Sequence, residues 1–129
     1  MIEFYLDAKS GIAPYLQLVQ QVRRAIKLGV LREGDQLPTV REVVTRIAIN
    51  PNTVSKAYRE LEHEGLIVAR AGVGTFVAAS TSEDVLATLG PILHDLEQWL
   101  VRARATGLDD DSIEALFRTA FRNSAPVAS

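Results

Sequence analysis

Apolar residues recur at helical spacing in three successive stretches before the period changes to that of strands. In the first, Tyr15, Leu18, Val19, Val22 and Ile26 share one face, with Pro14 at its start and Gly29 at its end, so a helix is predicted over 14 to about 29. In the second, Val40, Val43, Val44, Ile47 and Ala48 form the stripe. Thr39 precedes it as an N-cap with Glu42 three residues on, the spacing at which two side chains cap each other's backbone N–H groups. In the third, Val54, Ala57, Tyr58 and Leu61 lie between Asn50 and Gly65. Asn50 can accept from an orphan N–H one turn in, and Pro51 suits the first helical position, where a missing N–H costs nothing. Gly65 supplies the left-handed residue that stops the helix. Residues 66–70 and 75–78 then read as two strands around the glycine-rich turn 71–74. A helix, a helix-turn-helix and a hairpin make a winged helix, mainly α with a small β-hairpin wing.

The remaining third is helical again. Residues 79–82 are small and polar, a linker and lead-in. From about 83 to 105, Val85, Leu89, Ile92, Leu96, Trp99 and Ala103 are spaced alternately four and three apart, a coiled-coil-like seam. Leu86, Leu93 and Leu100 lie beside it and widen the stripe. Gly107 stops this helix; Asp109 caps a last one carrying Ile113, Leu116, Phe117, Ala120 and Phe121, its acidic start suiting the positive end of the helix dipole. Pro91 costs about 3 kcal/mol inside a helix, so either the helix kinks there or a new one begins at Gly90-Pro91. Two helices in fewer than about 50 residues have too little interior for a core of their own. The surplus apolar surface is expected to meet the same element of a second chain in a two-fold dimer, through Val85, Leu89, Ile92, Leu93, Leu96, Trp99, Leu100, Phe117 and Phe121. Folding of the tail back onto the winged helix is the alternative. The expected organisation is therefore a winged helix-turn-helix domain over 1–78, a linker over 79–82, a two-helix dimerisation tail over 83–123 and a disordered end over 124–129.

Composition narrows the function classes. The chain has 129 residues, 47% hydrophobic and 23% charged, an ordinary globular make-up. It has no cysteine, hence no disulfide framework and no thiolate metal site. The acidic N-terminus does not read as a signal peptide and no run approaches a membrane span, so a cytoplasmic location is expected. A net charge of −2 looks wrong for a nucleic-acid binder until the chain is divided. Residues 1–78 hold ten Lys/Arg against eight Asp/Glu, and residues 79–129 hold four against eight. The cationic excess thus coincides with the winged helix, where phosphate binding needs it. The excess is modest, and a second copy would be needed to supply enough contacts.

The third helix carries the candidate chemistry. Its polar face shows Asn52, Thr53, Ser55, Lys56 and Arg59: short hydrogen-bonding side chains first, then two cations, as a helix entering a major groove requires. Four motifs, spanning roughly residues 10–78, carry a resemblance. They are Leu37-Pro38-Thr39-x-Arg41-Glu42; Asn52-Thr53-Val54-x-x-Ala57-Tyr58; Leu61-x-x-Glu64-Gly65-Leu66-Ile67; and Arg70-x-Gly72-x-Gly74-Thr75-Phe76-Val77. In this order the chain resembles the winged-helix domain of GntR-type bacterial transcription regulators. Its opening, with Phe4-Tyr5-Leu6-Asp7 and Pro14-Tyr15-x-Gln17, and its short tail are similar to the YtrA-type branch.

That resemblance implies a dimeric, sequence-specific regulator binding a palindromic double-stranded DNA operator, a repressor of its own operon, with ABC-transporter genes as neighbours. It places a DNA-contacting arginine at Arg41, beside Thr39, which stands where the family has a capping serine. An intramolecular salt bridge is the other reading of Arg41. Asn52 suits bidentate pairing with adenine, Thr53 a phosphate or thymine methyl, and Lys56 a phosphate. Arg59 reaches backbone or pairs with Glu62 or His63. The family's common pattern has arginine where Pro51 and Ser55 stand, so its guanine reading does not transfer. In the wing, Gly72 and Gly74 let backbone approach phosphate or the minor groove, Arg70 is the phosphate partner and Thr75 offers a hydroxyl; a tight hairpin alone would show the same glycines.

Other classes fare worse. No nucleophile elbow, phosphate loop or histidine–carboxylate constellation is present, so no enzyme and no cofactor are expected. His63 and His94 have no ligand-spaced partner, and Asp109-Asp110-Asp111 lacks the glycine and glutamate of a calcium loop. The effector domain of well over a hundred residues that larger GntR-type proteins carry is not expected in this chain. Trp99 is read as dimer core; a small ligand between the tail helices is the alternative, and no effector is identified. The competing function is a winged helix for protein–protein contact. Exposed Arg41, Lys56, Arg59 and Arg70 on one surface would favour DNA; scattered or internally paired, they would favour protein contact.

Overall fold

The computed structural model describes residues 1–124, so the disordered end expected over 124–129 lies, beyond Ser124, outside the described residues. Two compact units divide the chain, one over residues 1–89 and one from residue 90 onward.

In the first unit α1 (Pro14–Lys27), α2 (Val40–Ile47) and α3 (Pro51–His63) pack around Leu18, Val19, Val22, Leu37, Val54, Leu61 and Val77, all essentially inaccessible to solvent. The capping chemistry forms as the residue types dictate. Thr39 Oγ1 accepts from the Glu42 N–H at 3.1 Å while Glu42 Oε1 accepts from the Thr39 N–H at 3.2 Å. Asn50 Oδ1 accepts from the Asn52 N–H at 2.8 Å with Pro51 in the first turn. Helix α1 ends at Lys27 with Leu28 as its C-cap, slightly short of the predicted end.

The β structure has one strand more than the sequence pattern predicts. Strands β1 (Gln36–Leu37), β2 (Ile67–Arg70) and β3 (Gly74–Val77) form an antiparallel sheet in the order β1-β3-β2. Gln36 pairs with Phe76 and Leu37 with Thr75, while Arg70 pairs with Gly74 across the hairpin. A two-residue strand is too short to show alternation; burial of Leu37 fixes it in place.

An N-terminal strap completes this unit. Phe4 is buried, with its ring centroid 6.4 Å from that of Tyr58. Gln17, buried on α1, holds the strap: its Oε1 accepts from the Asp7 N–H at 2.8 Å, and its Nε2 donates to the carbonyls of Asp7 and Ile12. Both the oxygen and the NH2 group of that amide are engaged, which is what makes its burial tolerable. The segment 79–82 is also tied to this unit, since the Thr81 hydroxyl donates to the Ile26 carbonyl at 2.8 Å and that of Ser80 to Glu33 at 2.8 Å.

Helix α4 (Glu83–Ala105) runs uninterrupted with Pro91 inside it, which removes the alternative of a new helix starting at Gly90-Pro91. The proline leaves one carbonyl, that of Ala87, without its helical donor, a local cost that the flanking turns outweigh. In the second unit α5 (Asp110–Asn123) follows, its first turn capped by Asp109, whose side chain accepts from the Ser112 N–H at 2.8 Å. Hydrogen bonding from Ser112, from its side chain first and its backbone N–H second, holds the Asp109 carboxyl below its ordinary range. Only Ala103 and Ile113 are buried here among the described residues. Trp99 and Phe117 meet with centroids 6.4 Å apart, and Phe117 stacks on Phe121 at 6.0 Å. None of the nine residues expected to form a dimer seam is buried in the single chain. Ile92, Leu96, Phe117 and Phe121 are exposed; Val85, Leu89, Leu93, Trp99 and Leu100 are half-buried.

Candidate nucleic-acid interface

Burial of Val54, Ala57, Tyr58 and Leu61 on one side of α3 turns the opposite stripe outward. That stripe carries Asn52, Ser55, Lys56 and Arg59, spaced as i, i+3, i+4 and i+7. Asn52, Lys56 and Arg59 are exposed and Ser55 is half-buried; Thr53, off the stripe, is also half-buried.

Tyr58 ties α3 to the segment that leads into α2. Its hydroxyl donates to the Pro38 carbonyl at 2.5 Å, from a side chain only 8% exposed, and burial pushes the phenol's pKa well up. The far end of α3 is fastened to α1 by a two-pronged ion pair. Arg23 Nε meets Glu64 Oε1 at 2.8 Å and Nη2 meets Oε2 at 2.5 Å. The hydrogen bond from Arg23 holds the Glu64 carboxyl below its ordinary range, and the same bond raises the guanidinium.

Arg41 is exposed in the first turn of α2, next to a Glu42 already committed to the capping box. Among the described residues neither Arg41 nor Arg59 forms an ion pair, and neither do Lys56 and Arg70. Arg23 and Arg46 of the same unit, by contrast, are paired, the latter with Glu3 at 3.0 Å. Thr39 is exposed, but its hydroxyl oxygen is engaged by the Glu42 N–H.

In the wing, Arg70, Gly72, Gly74 and Thr75 come together because the β2–β3 register places Arg70 opposite Gly74 and Ala69 opposite Thr75. Gly72 has φ +74° and an open surround. Gly74 has φ +145°, a conformation that favours a residue without a side chain, and a Cβ there would stand 2.6 Å from the flexible end of Gln36 at Nε2.

Tyr15, Phe76 and Gln36 support this surface, and none of them was legible in that role in the sequence. The Lys56 ammonium sits 4.0 Å from the centroid of the Tyr15 ring, and the Arg70 guanidinium 5.0 Å from that of Phe76. Gln36 closes over Gly74. Arg70 and Phe76 are diagonal neighbours on one face of the hairpin, a relation readable once the register is known. Tyr15 and Lys56 are 41 positions apart, and no local pattern links them. Among the described residues no cluster of His, Asp or Glu is arranged to hold a metal, and no helix is long and apolar enough to cross a membrane.

Comparison with known proteins places this geometry. The model of the gntR family of bacterial regulatory proteins matches residues 14–77. The HTH-type transcriptional repressor YtrA of Bacillus subtilis (strain 168) is 37% identical over 105 residues, which span 81% of each chain. A crystal structure of a transcriptional antiterminator from Listeria monocytogenes EGD-e is similar over 99% of this chain and 98% of its own, at 30% identity and a TM-score of 0.58. The DNA-binding domain of AraR, solved in complex with operator ORX1, is similar over 60% of this chain and 93% of its own, at 26% identity and a TM-score of 0.50.

Proposed function

The chain belongs to the gntR family of bacterial regulatory proteins, which are DNA-binding transcription regulators rather than enzymes, and from that premise we propose that it is a homodimeric, sequence-specific repressor of its own operon. Its ligand is a double-stranded operator with two inverted half-sites, one for each α3. The observation that carries the reading is the set of exposed, unpaired cations Arg41, Lys56, Arg59 and Arg70 on α2, α3 and the wing, beside paired Arg23 and Arg46.

In this reading the N-terminal end of α3 enters the major groove. Asn52 reads a base edge, Thr53 and Ser55 flank it, and Lys56, Arg59 and Arg41 neutralise phosphates. Thr39 holds the first turn of α2 in place for Arg41. The wing lays Arg70, Thr75 and the backbone at Gly72 and Gly74 on the adjacent backbone or minor groove. A single unit would neutralise few phosphates, and affinity scales steeply with that number.

Dimerisation supplies the second set, and the apolar surface left open on α4 and α5 supports it. Ile92 on α4 is 60% exposed and Phe121 on α5 70%, with Leu96, Leu116 and Phe117 also open. Sedimentation equilibrium of the full chain tests this part, with the double variant Phe117→Glu/Phe121→Glu for comparison. The wild type is expected to be a dimer and the variant a folded monomer with weakened duplex binding; a monomeric wild type overturns the proposal.

A further inference from the structure

The aromatic ring beneath Lys56 gives the interface a component that its cations alone do not. We infer that Tyr15 is a positioning residue for DNA binding: its ring is the platform that holds the Lys56 ammonium in the orientation in which it meets a phosphate. The inference rests on the assignment of Lys56 to the DNA interface made above.

Three observations carry it. The Lys56 Nζ lies 4.0 Å from the Tyr15 ring centroid, within the range in which the negative face of the ring attracts a cation. Lys56 has no carboxylate partner among the described residues, so the ring is what orients it. Tyr15 is half-buried at the start of α1, beside Pro14 and one turn before the fully buried Leu18 and Val19, so the ring stands on a fixed support. A lysine side chain on an exposed helix face samples many rotamers, and a contact made from one of them costs the freedom of the rest. Held over a ring before DNA arrives, it has lost part of that freedom already.

The platform role differs from a direct contact in what it does to salt dependence. Removing Lys56 removes a phosphate contact and lowers the salt slope by about one unit. Removing the ring leaves the ammonium in place, so affinity falls while the slope stays. An exposed cation–π pair corresponds to a roughly two- to five-fold change in affinity.

The test uses the full chain and a double-stranded DNA fragment of random sequence, measured over a range of salt, with Tyr15→Leu, Tyr15→Phe, Lys56→Ala and the double variant Tyr15→Leu/Lys56→Ala. Alongside, proton NMR of the free protein reads the ring-current shift of the Lys56 ε-methylene. Tyr15→Leu is expected to bind about two- to five-fold more weakly with an unchanged slope, to lose the shift, and to have no further effect once Lys56 is alanine. Tyr15→Phe, which keeps the ring, is expected to match the wild type in both readouts. Equal losses from Tyr15→Leu with and without Lys56 would overturn the inference, as would a Tyr15→Phe loss as large as that of Tyr15→Leu. If instead Lys56→Ala changes neither affinity nor slope, the assignment of Lys56 to DNA fails, and the inference with it, whatever the methylene shift shows.

Discussion

Tyr58 and Pro38 are joined by a 2.5 Å hydrogen bond from the phenol hydroxyl to the backbone carbonyl, which ties the middle of α3 to the residue that precedes the cap of α2. The angle between the two helices decides what α3 can reach, and this buried bond joins the apolar packing of Val43 with Val54, Ala57 and Leu61 in holding it.

Tyr58→Phe is the direct probe of this bond. It retains the ring that packs on Phe4 and strands a buried carbonyl. The expected loss in unfolding free energy is about 1–3 kcal/mol with an unchanged denaturant slope. Chemical denaturation checks it, and a change within a few tenths of a kcal/mol would mean that the carbonyl finds water instead.

Gly74→Ala separates conformational strain from crowding in the wing. At φ +145° an alanine is strained by about 1–3 kcal/mol. The clash with Gln36 Nε2 concerns the end of a flexible side chain, which can move aside. Adding Gln36→Ala should therefore recover little stability. Thermal unfolding of the single and double variants measures both contributions, and full recovery would assign the cost to crowding.

On α3, two variants should behave differently on DNA. Asn52→Ala should cost about 1–3 kcal/mol on the cognate site and relax preference at one base position, while leaving random DNA nearly unaffected. Lys56→Ala should weaken all sequences alike. Anisotropy titrations on both DNAs check this pair, and an equal loss on both for Asn52→Ala would remove its base-reading role.

The Arg23–Glu64 pair gives stability a pH dependence with a definite sign. The folded-state carboxyl of Glu64 is held below its ordinary value of 4.5, chiefly by the hydrogen bond from Arg23. Its contribution is therefore fully present above pH 4.5 and is lost as the pH falls from there through the lowered value. The guanidinium of Arg23, its pKa raised further by the same hydrogen bond, stays charged throughout this range and adds no pH dependence. Both partners are partly exposed, so the contribution is about 0.2–1 kcal/mol. The stability gap between wild type and Glu64→Gln, measured by urea unfolding, should be constant near neutral pH and close below pH 4.5. A gap that persists unchanged into stronger acid would contradict this assignment.

Much of the fold was legible because local chemistry and periodicity agreed. Thr39 with Glu42 and Asn50 with Pro51 announced two helix starts, and each forms the bonds its residue types allow. The sequence did not disclose β1, which is too short for a period, or the uninterrupted course of α4 through Pro91, where propensity left two outcomes open. Gln17 stands in the sequence only as a motif residue and Tyr58 as a core aromatic; only the folded chain shows that the amide holds the strap and the hydroxyl ties α3 to the Pro38 carbonyl. The candidate contact residues on α3 were visible as one polar face, since helical spacing alone brings Asn52, Lys56 and Arg59 together. Tyr15 was counted among the apolar positions of α1, because sequence spacing says nothing about a cation arriving from another helix.

Selection of bound fragments from a pool of random double-stranded DNA by the purified full-length chain tests the central claim most directly, since it reads specificity and symmetry together. A homodimeric operator-binding repressor should enrich an inverted repeat whose half-site centres lie about one helical turn, roughly 10 base pairs, or a multiple of it apart. Recovery of no common sequence, or of a single half-site without its inverted partner, would contradict it.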